Sequence, residues 1–155
     1  MLKRKFAWPL IAALICVSAG ALAETKWLIT PEEAARARPV AGELKELAAA
    51  REGPGPLIVV KNPRGLKTVR SPVDIFVAFE PGKSGQPPDM NTLSVALVGF
   101  IDIDITDRLR EYINGSNLEV EKANLPTGIH RLRMAIKDVE GNPNERDVVV
   151  RVVEE

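Results

Sequence analysis

Cysteine, histidine and aromatic residues are scarce in this chain of 155 residues. The one cysteine is Cys16 and the one histidine is His130. A single histidine excludes metal sites built from several histidines, and it permits a Ser-His-Asp triad only if His130 is the base. Aromatic residues make up 5% of the chain, which is few for a sugar-binding cleft because such clefts use aromatic rings as platforms. The composition therefore disfavours an enzyme.

The first 23 residues have the three parts of a secretory signal peptide. A basic start at residues 3–5 precedes an apolar run from about residue 6 to residue 20, and Ala21-Leu22-Ala23 forms a cleavage pattern. We expect cleavage after Ala23, residence in the periplasm or outside the cell, and contact with the membrane only in transit. The alternative is an uncleaved anchor, because the apolar run is long enough to span a bilayer.

Removal of this leader changes both the charge and the cysteine count. The leader holds three of the 21 Lys and Arg residues and none of the 21 Asp and Glu residues, so the remaining chain has a formal charge of 18 − 21 = −3. A negative domain binds nucleic acid poorly, and we predict no nucleic-acid partner. Cys16 leaves with the leader, so no disulfide and no thiolate ligand remain.

Composition divides the rest of the chain at "EGPGP", residues 52–56, because Gly and Pro interrupt both helices and strands. Residues 24–53 are rich in Ala, Glu and Arg, and they predict a helical segment followed by a linker. Residues 54–155 are rich in Val, Ile and turn formers, and they predict a separate domain of strands.

The helical segment contains two predicted helices. Thr30 and Glu33 have the spacing of a capping box, and Pro31 suits the first helical position. The second helix carries an apolar stripe that either docks on the chain's own domain or contacts another protein. The stripe consists of Val40, Leu44 and Leu47.

Alternation of apolar and polar residues is the main pattern of the second part. It is clearest over residues 73–80, 93–97, 131–137 and 147–152. Period-two alternation predicts strands with one buried and one solvated face, which is typical of antiparallel sheets. No helix-length segment separates the strands, which disfavours parallel βαβ units. About seven such strands predict an all-β protein, an antiparallel two-sheet sandwich.

The stretch "IDIDITDRLREY", residues 101–112, holds four acidic side chains in twelve positions. On a strand, Ile101, Ile103 and Ile105 are buried while Asp102 and Asp104 are solvated, so the pattern needs no ligand. The functional alternative is a calcium site in which these two aspartates join the loop residues Asp138, Glu140 and Asn142. Because the spacing does not match an EF-hand loop, we predict no metal site.

Positive charge lines one face of the predicted strand at residues 131–137. Arg131, Arg133 and Lys137 form a stripe that suits an acidic partner, and the alternative is an ordinary solvated sheet face. His130 has the parity of the apolar residues on this strand. No nucleophile pairs with it in the sequence, so we expect a packed side chain.

Three longer segments carry a recognisable pattern: "SPVDIFVAFEP", "DMNTLSVALVGFIDIDITDRL" and "LPTGIHRLRMAIKDVEGNPNERDVVVRV". Together, over about residues 56–153, they resemble the bacterial immunoglobulin-like domains of exported and cell-envelope proteins. Residues 104–107 match a "DVTD" element of that family, and residues 128–142 match its later "G.H" and "D..GN" elements. The resemblance implies a β-sandwich with an immunoglobulin-like arrangement. It also implies that His130 and Asp107 have structural roles.

The chain departs from the family pattern in two places. "LVGFIDIDITD" is longer than the usual turn into the "DVTD" element, and the disulfide and buried tryptophan of antibody-type domains are missing. Domains of this kind serve as spacers, adhesion modules or docking surfaces, and the fold alone does not choose among these roles.

We therefore predict an exported, non-enzymatic protein that acts as a protein-interaction or structural module, without a cofactor. Its expected partner is another envelope or extracellular protein. The alternative function is a calcium- or glycan-binding module of the cell envelope. The predicted contact residues are Val40, Leu44, Leu47, Arg131, Arg133 and Lys137.

Overall fold

Nine strands lie in the part of the chain that the computed structural model describes, which is residues 26–37, 53–64 and 68–154. Two short α-helices, α1 and α2, and one 3₁₀ turn at Arg110–Tyr112 accompany them. The helices are α1 (Pro31–Arg36) and α2 (Thr106–Leu109), and the strands are β1 (Leu57–Asn62), β2 (Thr68–Arg70), β3 (Val73–Glu80), β4 (Pro88–Val98), β5 (Ile103–Asp104), β6 (Ile113–Asn114), β7 (Asn117–Ala123), β8 (Gly128–Asp138) and β9 (Pro143–Val153).

The strands form two sheets. One has the order β1-β3-β7-β6 and the other has the order β2-β9-β8-β4-β5. Every pairing within them is antiparallel except that of β2 with β9. Without β2 and β5, the remaining seven strands have the sheet assignment of an immunoglobulin constant-type sandwich. The predicted all-β antiparallel sandwich is confirmed. The pattern predicted β5 within the acidic stretch but missed β2 and β6, because two or three residues are too few to show alternation.

Alternating apolar side chains fill the space between the sheets. Val77 on β3, Leu97 on β4 and Ile136 on β8 are at most 1% exposed. On β9, Val150 and Val152 are also buried, and they share their face with the half-buried Val148. Each pair of inward residues is separated by one outward residue, which is the pleat that the sequence pattern predicted.

The acidic stretch differs from its prediction at its start. The expectation that Ile101 is buried is wrong, because its side chain is 57% exposed. The chain reverses direction at residues 99–102, where the backbone N–H of Gly99 donates to the Asp102 carboxylate over 3.2 Å. Only Ile103–Asp104 then pair with β4, and Ile105 reaches the core with 1% exposure. The strand is therefore one arm of a hairpin and begins two residues later than the alternation suggests.

Residues 26–37, here called the N-terminal strap, pack directly against the sandwich. The capping box is confirmed: Thr30 accepts from the Glu33 N–H, and the Glu33 carboxylate accepts from the Thr30 N–H. Leu28 and Ile29 belong to the core with 6% and 0% exposure. The Leu28 N–H donates to the Asn124 carbonyl over 3.1 Å. The strap thus contributes side chains to the interior of the domain that follows it.

A guanidinium on α2 fastens this strap. Arg108 donates to both carboxylate oxygens of Glu33, over 2.7 and 2.5 Å, and to the Leu28 carbonyl over 3.0 Å. The hydrogen bonds from Arg108 lower the pKa of Glu33 to about 2, against the opposing effect of its partial burial. A carboxylate held by a bidentate guanidinium stays ionised because the charged form makes the stronger hydrogen bonds.

The opposite margin of the sandwich, between β1 and β9, is closed by polar side chains. Asn144 is buried, and it accepts from the Gly53 N–H over 2.8 Å and donates to the Pro56 carbonyl over 2.7 Å. Arg146 donates to the Ile58 carbonyl over 2.6 Å. These bonds satisfy backbone groups of β1 and of the segment that leads into it, and they join that segment to β9 of the other sheet.

Two predicted features lie outside the described residues. They are the leader with its cleavage site after Ala23, and the second helix with Val40, Leu44 and Leu47. Of the helices within the described ranges, none combines the length and the apolar character that crossing a bilayer requires.

Replacement of Ile29 tests whether the strap is part of the core. Ile29→Ala removes a fully buried side chain, so we expect the free energy of unfolding to fall by about 2–5 kcal/mol. Denaturant titration followed by circular dichroism measures this change. Val139→Ala is the control, because Val139 is 59% exposed and its truncation should change stability by less than about 0.5 kcal/mol. Equal stability of both variants would show that the strap is dispensable.

Acid titration tests the clamp between Glu33 and Arg108. The ordinary pKa of Glu33 is 4.5 and its pKa in the folded protein is about 2. As the pH falls, Glu33 is therefore protonated in the unfolded chain before it is protonated in the folded one. The stability that the clamp contributes is present above pH 4.5 and is lost as the pH falls toward 2. We expect Glu33→Gln and Arg108→Gln each to flatten the decline in unfolding free energy over this range. A decline as steep as that of the parent protein would contradict the clamp.

Candidate interaction surface

The predicted basic stripe on β8 is paired with its neighbour in the sheet. Arg133 lies opposite Asp147 of β9, and its Nε donates to that carboxylate over 3.0 Å. Arg131 donates to the same carboxylate from Nη2 over 2.5 Å and from Nε over 3.1 Å. Glu145 adds a contact to Arg133 at 3.3 Å, whereas Lys137 is exposed. Two of the three predicted contact residues on this strand therefore have carboxylate partners within the fold.

The environment of Asp147 explains why this cluster is stable. Burial opposes its ionisation, but hydrogen bonds from Arg133 and Arg131 outweigh burial and lower its pKa. The side chains of Arg131 and Asp147 are only 14% and 15% exposed. Asp147 and Glu145 together balance the charge of the two guanidiniums, so the cluster has little free charge to offer an acidic ligand.

His130 lies inside the sandwich near the start of β8. It is 3% exposed, and its Nε2–H donates to the Pro126 carbonyl over 2.6 Å. Burial lowers the pKa of the imidazole, against the opposing effect of this hydrogen bond. The neutral ring packs above Gly128, which has a φ of +139° and for which a Cβ would lie 3.8 Å from the ring. The side chain therefore serves the loop that precedes β8.

Asp138, at the far end of β8, organises the turn into β9. Its carboxylate accepts from the Ser84 hydroxyl over 2.6 Å, from the Asn142 side-chain amide over 2.8 Å, and from the backbone N–H groups of Glu140 and Asn142. Burial opposes ionisation, but these four donors together lower the pKa of Asp138 to about 2. The lone pairs that a cation needs are thus already occupied by donors of the turn.

The two groups of carboxylates proposed for calcium lie at different levels of the five-stranded sheet. Asp104 pairs with Ala96, which pairs with Arg133, and Asp138 lies five residues further along β8. At strand spacing this separation is about 16 Å. Asp104 accepts from the Thr106 N–H over 2.8 Å. Within the described ranges, no three His, Cys, Asp or Glu side chains are grouped to hold a metal ion.

Among the large apolar side chains of the described residues, the one with the greatest exposed fraction lies on the β4–β5 hairpin. Phe100 is 84% exposed, and the neighbouring Ile101 is 57% exposed. We call these two residues the hairpin tip. Neighbouring exposed apolar side chains of this size make the tip a candidate contact surface. Sequence reasoning missed the tip because the alternation of Ile101, Ile103 and Ile105 suggested burial. The unusual length of "LVGFIDIDITD" was the signal that could have revealed it.

Packing around the tip keeps its backbone in place. Gly99 lies against the N-terminal strap, where a Cβ would come within 2.4 Å of the Ala37 backbone. On the other arm, Thr106 accepts from the Val95 N–H over 2.8 Å and donates to the Val95 carbonyl over 3.3 Å. A contact surface held by such packing loses little conformational entropy on binding, which favours affinity.

Comparisons with known proteins give two distant structural similarities. No protein-family model and no curated protein matches the sequence. An endo-beta-1,4-mannanase from Thermotoga petrophila aligns with a TM-score of 0.43 and 13% identity over 64% of this chain and 20% of its own. Dimeric latent PorU from Porphyromonas gingivalis aligns with a TM-score of 0.44 and 14% identity over 74% of this chain and 11% of its own. This chain therefore spans about a fifth or less of either protein, and the likeness assigns it no activity.

Neutralisation of Asp147 tests the charged cluster on the sheet. Asp147→Asn leaves two neighbouring guanidiniums without their shared carboxylate, so we expect a loss of about 1–3 kcal/mol in the free energy of unfolding. Asp107→Asn is the matched control, because Asp107 pairs with Arg110 but is 96% exposed. Its loss should stay below about 1 kcal/mol. Equal losses in urea titration would show that the cluster is an ordinary surface pair.

Proposed function

We propose that this chain is an exported, non-enzymatic immunoglobulin-like module that acts by contact with another protein of the cell envelope or exterior. We place that contact at the hairpin tip, Phe100 and Ile101. The exposure of Phe100, 84%, is the observation that carries the proposal. Export rests on the signal-peptide pattern of residues 1–23, and the immunoglobulin-like family rests on the resemblance of residues 56–153.

The energetics of protein interfaces support this choice of surface. Aromatic side chains dominate binding energy when they enter a pocket of the partner, because each buries a large apolar area. A phenylalanine that moves from water into a protein interior contributes about 1.5–3 kcal/mol. Phe100 and Ile101 are neighbours in the turn and are both exposed, so both side chains are accessible to a partner.

The contacts of the polar side chains in the described ranges favour a protein that binds a partner, and they do not favour a catalyst. Asp138 caps a turn, His130 holds a loop, and Asp147 joins two arginines. A catalytic site needs a nucleophile, a base and an orienting group around a shared cleft. Each of these side chains is instead engaged with its own neighbours in the fold.

Site-specific photocrosslinking in the native envelope tests this function. A photoreactive phenylalanine at position 100 should yield a discrete crosslinked protein, because the side chain is buried against the partner in the complex. The same group at position 139 is the control, since Val139 is exposed to 59% at the other end of the sandwich. The double variant Phe100→Ser, Ile101→Ser should lose the partner in co-purification, while Val139→Ser should retain it.

Two results would contradict the proposal. One is crosslinking to the same proteins from both positions, which indicates random collision. The other is full co-purification of the partner by the double serine variant. Thermal unfolding of each variant confirms that a loss of binding does not result from a loss of the fold.

A further inference from the structure

Opposite charges lie at the two margins of the five-stranded sheet. The strand order places β2 at one margin and β5 at the other. The β5 margin carries the exposed carboxylates of Asp102 and Asp104 beside the hairpin tip. The β2 margin carries the exposed guanidiniums of Arg70 and Arg151, and neither forms an ion pair with a carboxylate of the described residues.

The register places these charges on the same face of the sheet. Arg151 lies beside Ile129, two residues before Arg131 on β8, and residues two apart on a strand share a face. Arg70 pairs with Val153, which lies two residues beyond Arg151. On the other margin, Asp104 pairs with Ala96, and Ala96 pairs with Arg133. Arg70, Arg151 and Asp104 therefore all belong to the outer face that carries Arg131 and Arg133.

The two margins also lie at the same end of the sandwich. The hairpin tip follows β4 where Val98 pairs with Arg131, near the start of β8. Val153 ends β9 beside Arg70, and Gly128, the first residue of β8, pairs with Val152. Val153 is 36% exposed and thus adds apolar surface next to the two guanidiniums.

We propose that the partner of the hairpin tip is a second copy of this chain. A two-fold axis parallel to the strands brings the acidic β5 margin of each copy over the basic β2 margin of the other, and it keeps both at the same end. Each tip then meets Val153, which pairs with Arg70 and lies two residues from Arg151. The alternative is a two-fold axis that lies in the plane of the face and runs perpendicular to the strands. It would place acidic margin against acidic margin and basic margin against basic margin. The inference rests on the proposed function, because it uses the same tip and names the protein that covers it.

The middle of the face suits such a pairing. Arg131 and Arg133 are already paired with the carboxylates of Asp147 and Glu145, so the two faces approach without strong repulsion between like charges. In a closed two-fold dimer, the acidic margin of each copy contacts the basic margin of the other. Both contacts form at once, so neither copy is left with an uncovered margin.

Sedimentation velocity over a concentration series tests the dimer, with the full chain expressed with its own leader and purified after export. We expect a monomer–dimer equilibrium that weakens at about 1 M salt, where the Debye length is about 3 Å. Asp102→Asn with Asp104→Asn keeps the side-chain acceptors of the Gly99 and Thr106 N–H groups but removes both charges. Arg70→Gln with Arg151→Gln removes the charges of the other margin. Each pair of changes should weaken dimerisation at least about tenfold.

Mixing the two charge variants gives the sharper result. Each variant dimerises only weakly on its own, but a mixture restores one of the two charged contacts, so a 1:1 heterodimer should form more readily than either homodimer. Lys137→Gln with Glu140→Gln is the control, because both residues are exposed at the other end of β8 and should leave dimerisation unchanged.

A monomer at every concentration, or a mixture that stays monomeric, would overturn the dimer. If position 100 still crosslinks to a different envelope protein, the proposed function survives and only the identity of the partner is wrong. If position 100 crosslinks to nothing and the chain is monomeric, both proposals fail.

Discussion

Packing and a few hydrogen bonds hold the two sheets of this sandwich together without a disulfide, since no cysteine occurs after residue 16. A sandwich without a disulfide needs its interior filled at every open side, because a void or an unpaired buried group costs free energy without compensation. Here Leu28 and Ile29 of the N-terminal strap supply side chains that the strands do not. Asn144 and Arg146 satisfy the backbone at the opposite margin.

This requirement explains where the polar side chains are. Arg108 holds the strap, Asp138 caps the last turn, and Asp147 joins two arginines across neighbouring strands. Each of these groups stabilises a connection that packing by itself leaves weak. We therefore propose the hairpin between β4 and β5, and not the basic stripe, as the surface for a partner. Its apolar tip has no role in the interior.

Local patterns predicted much of the fold because strands and caps are decided by neighbouring residues. The alternation in β3, β4, β8 and β9 and the capping box of Thr30 with Glu33 depend on side chains a few positions apart. The hairpin tip was missed for the same reason. Ile101 continues a period of two in the sequence, but the turn closed by Gly99 and Asp102 rotates it away from the sheet. Alternation does not reveal where a chain reverses direction.

By itself, the sequence determined the antiparallel two-sheet architecture, the buried faces of its long strands and the start of its first helix. It also predicted a leader for export. Only the tertiary structure decided which charges are neutral pairs and which margins carry free charge, because the register between strands sets which side chains are neighbours. Arg133 meets Asp147 only in the register that the turn between β8 and β9 sets, and Ile29 enters the core of strands that come later in the chain. Such contacts leave no local period, so they are visible only once the chain has folded.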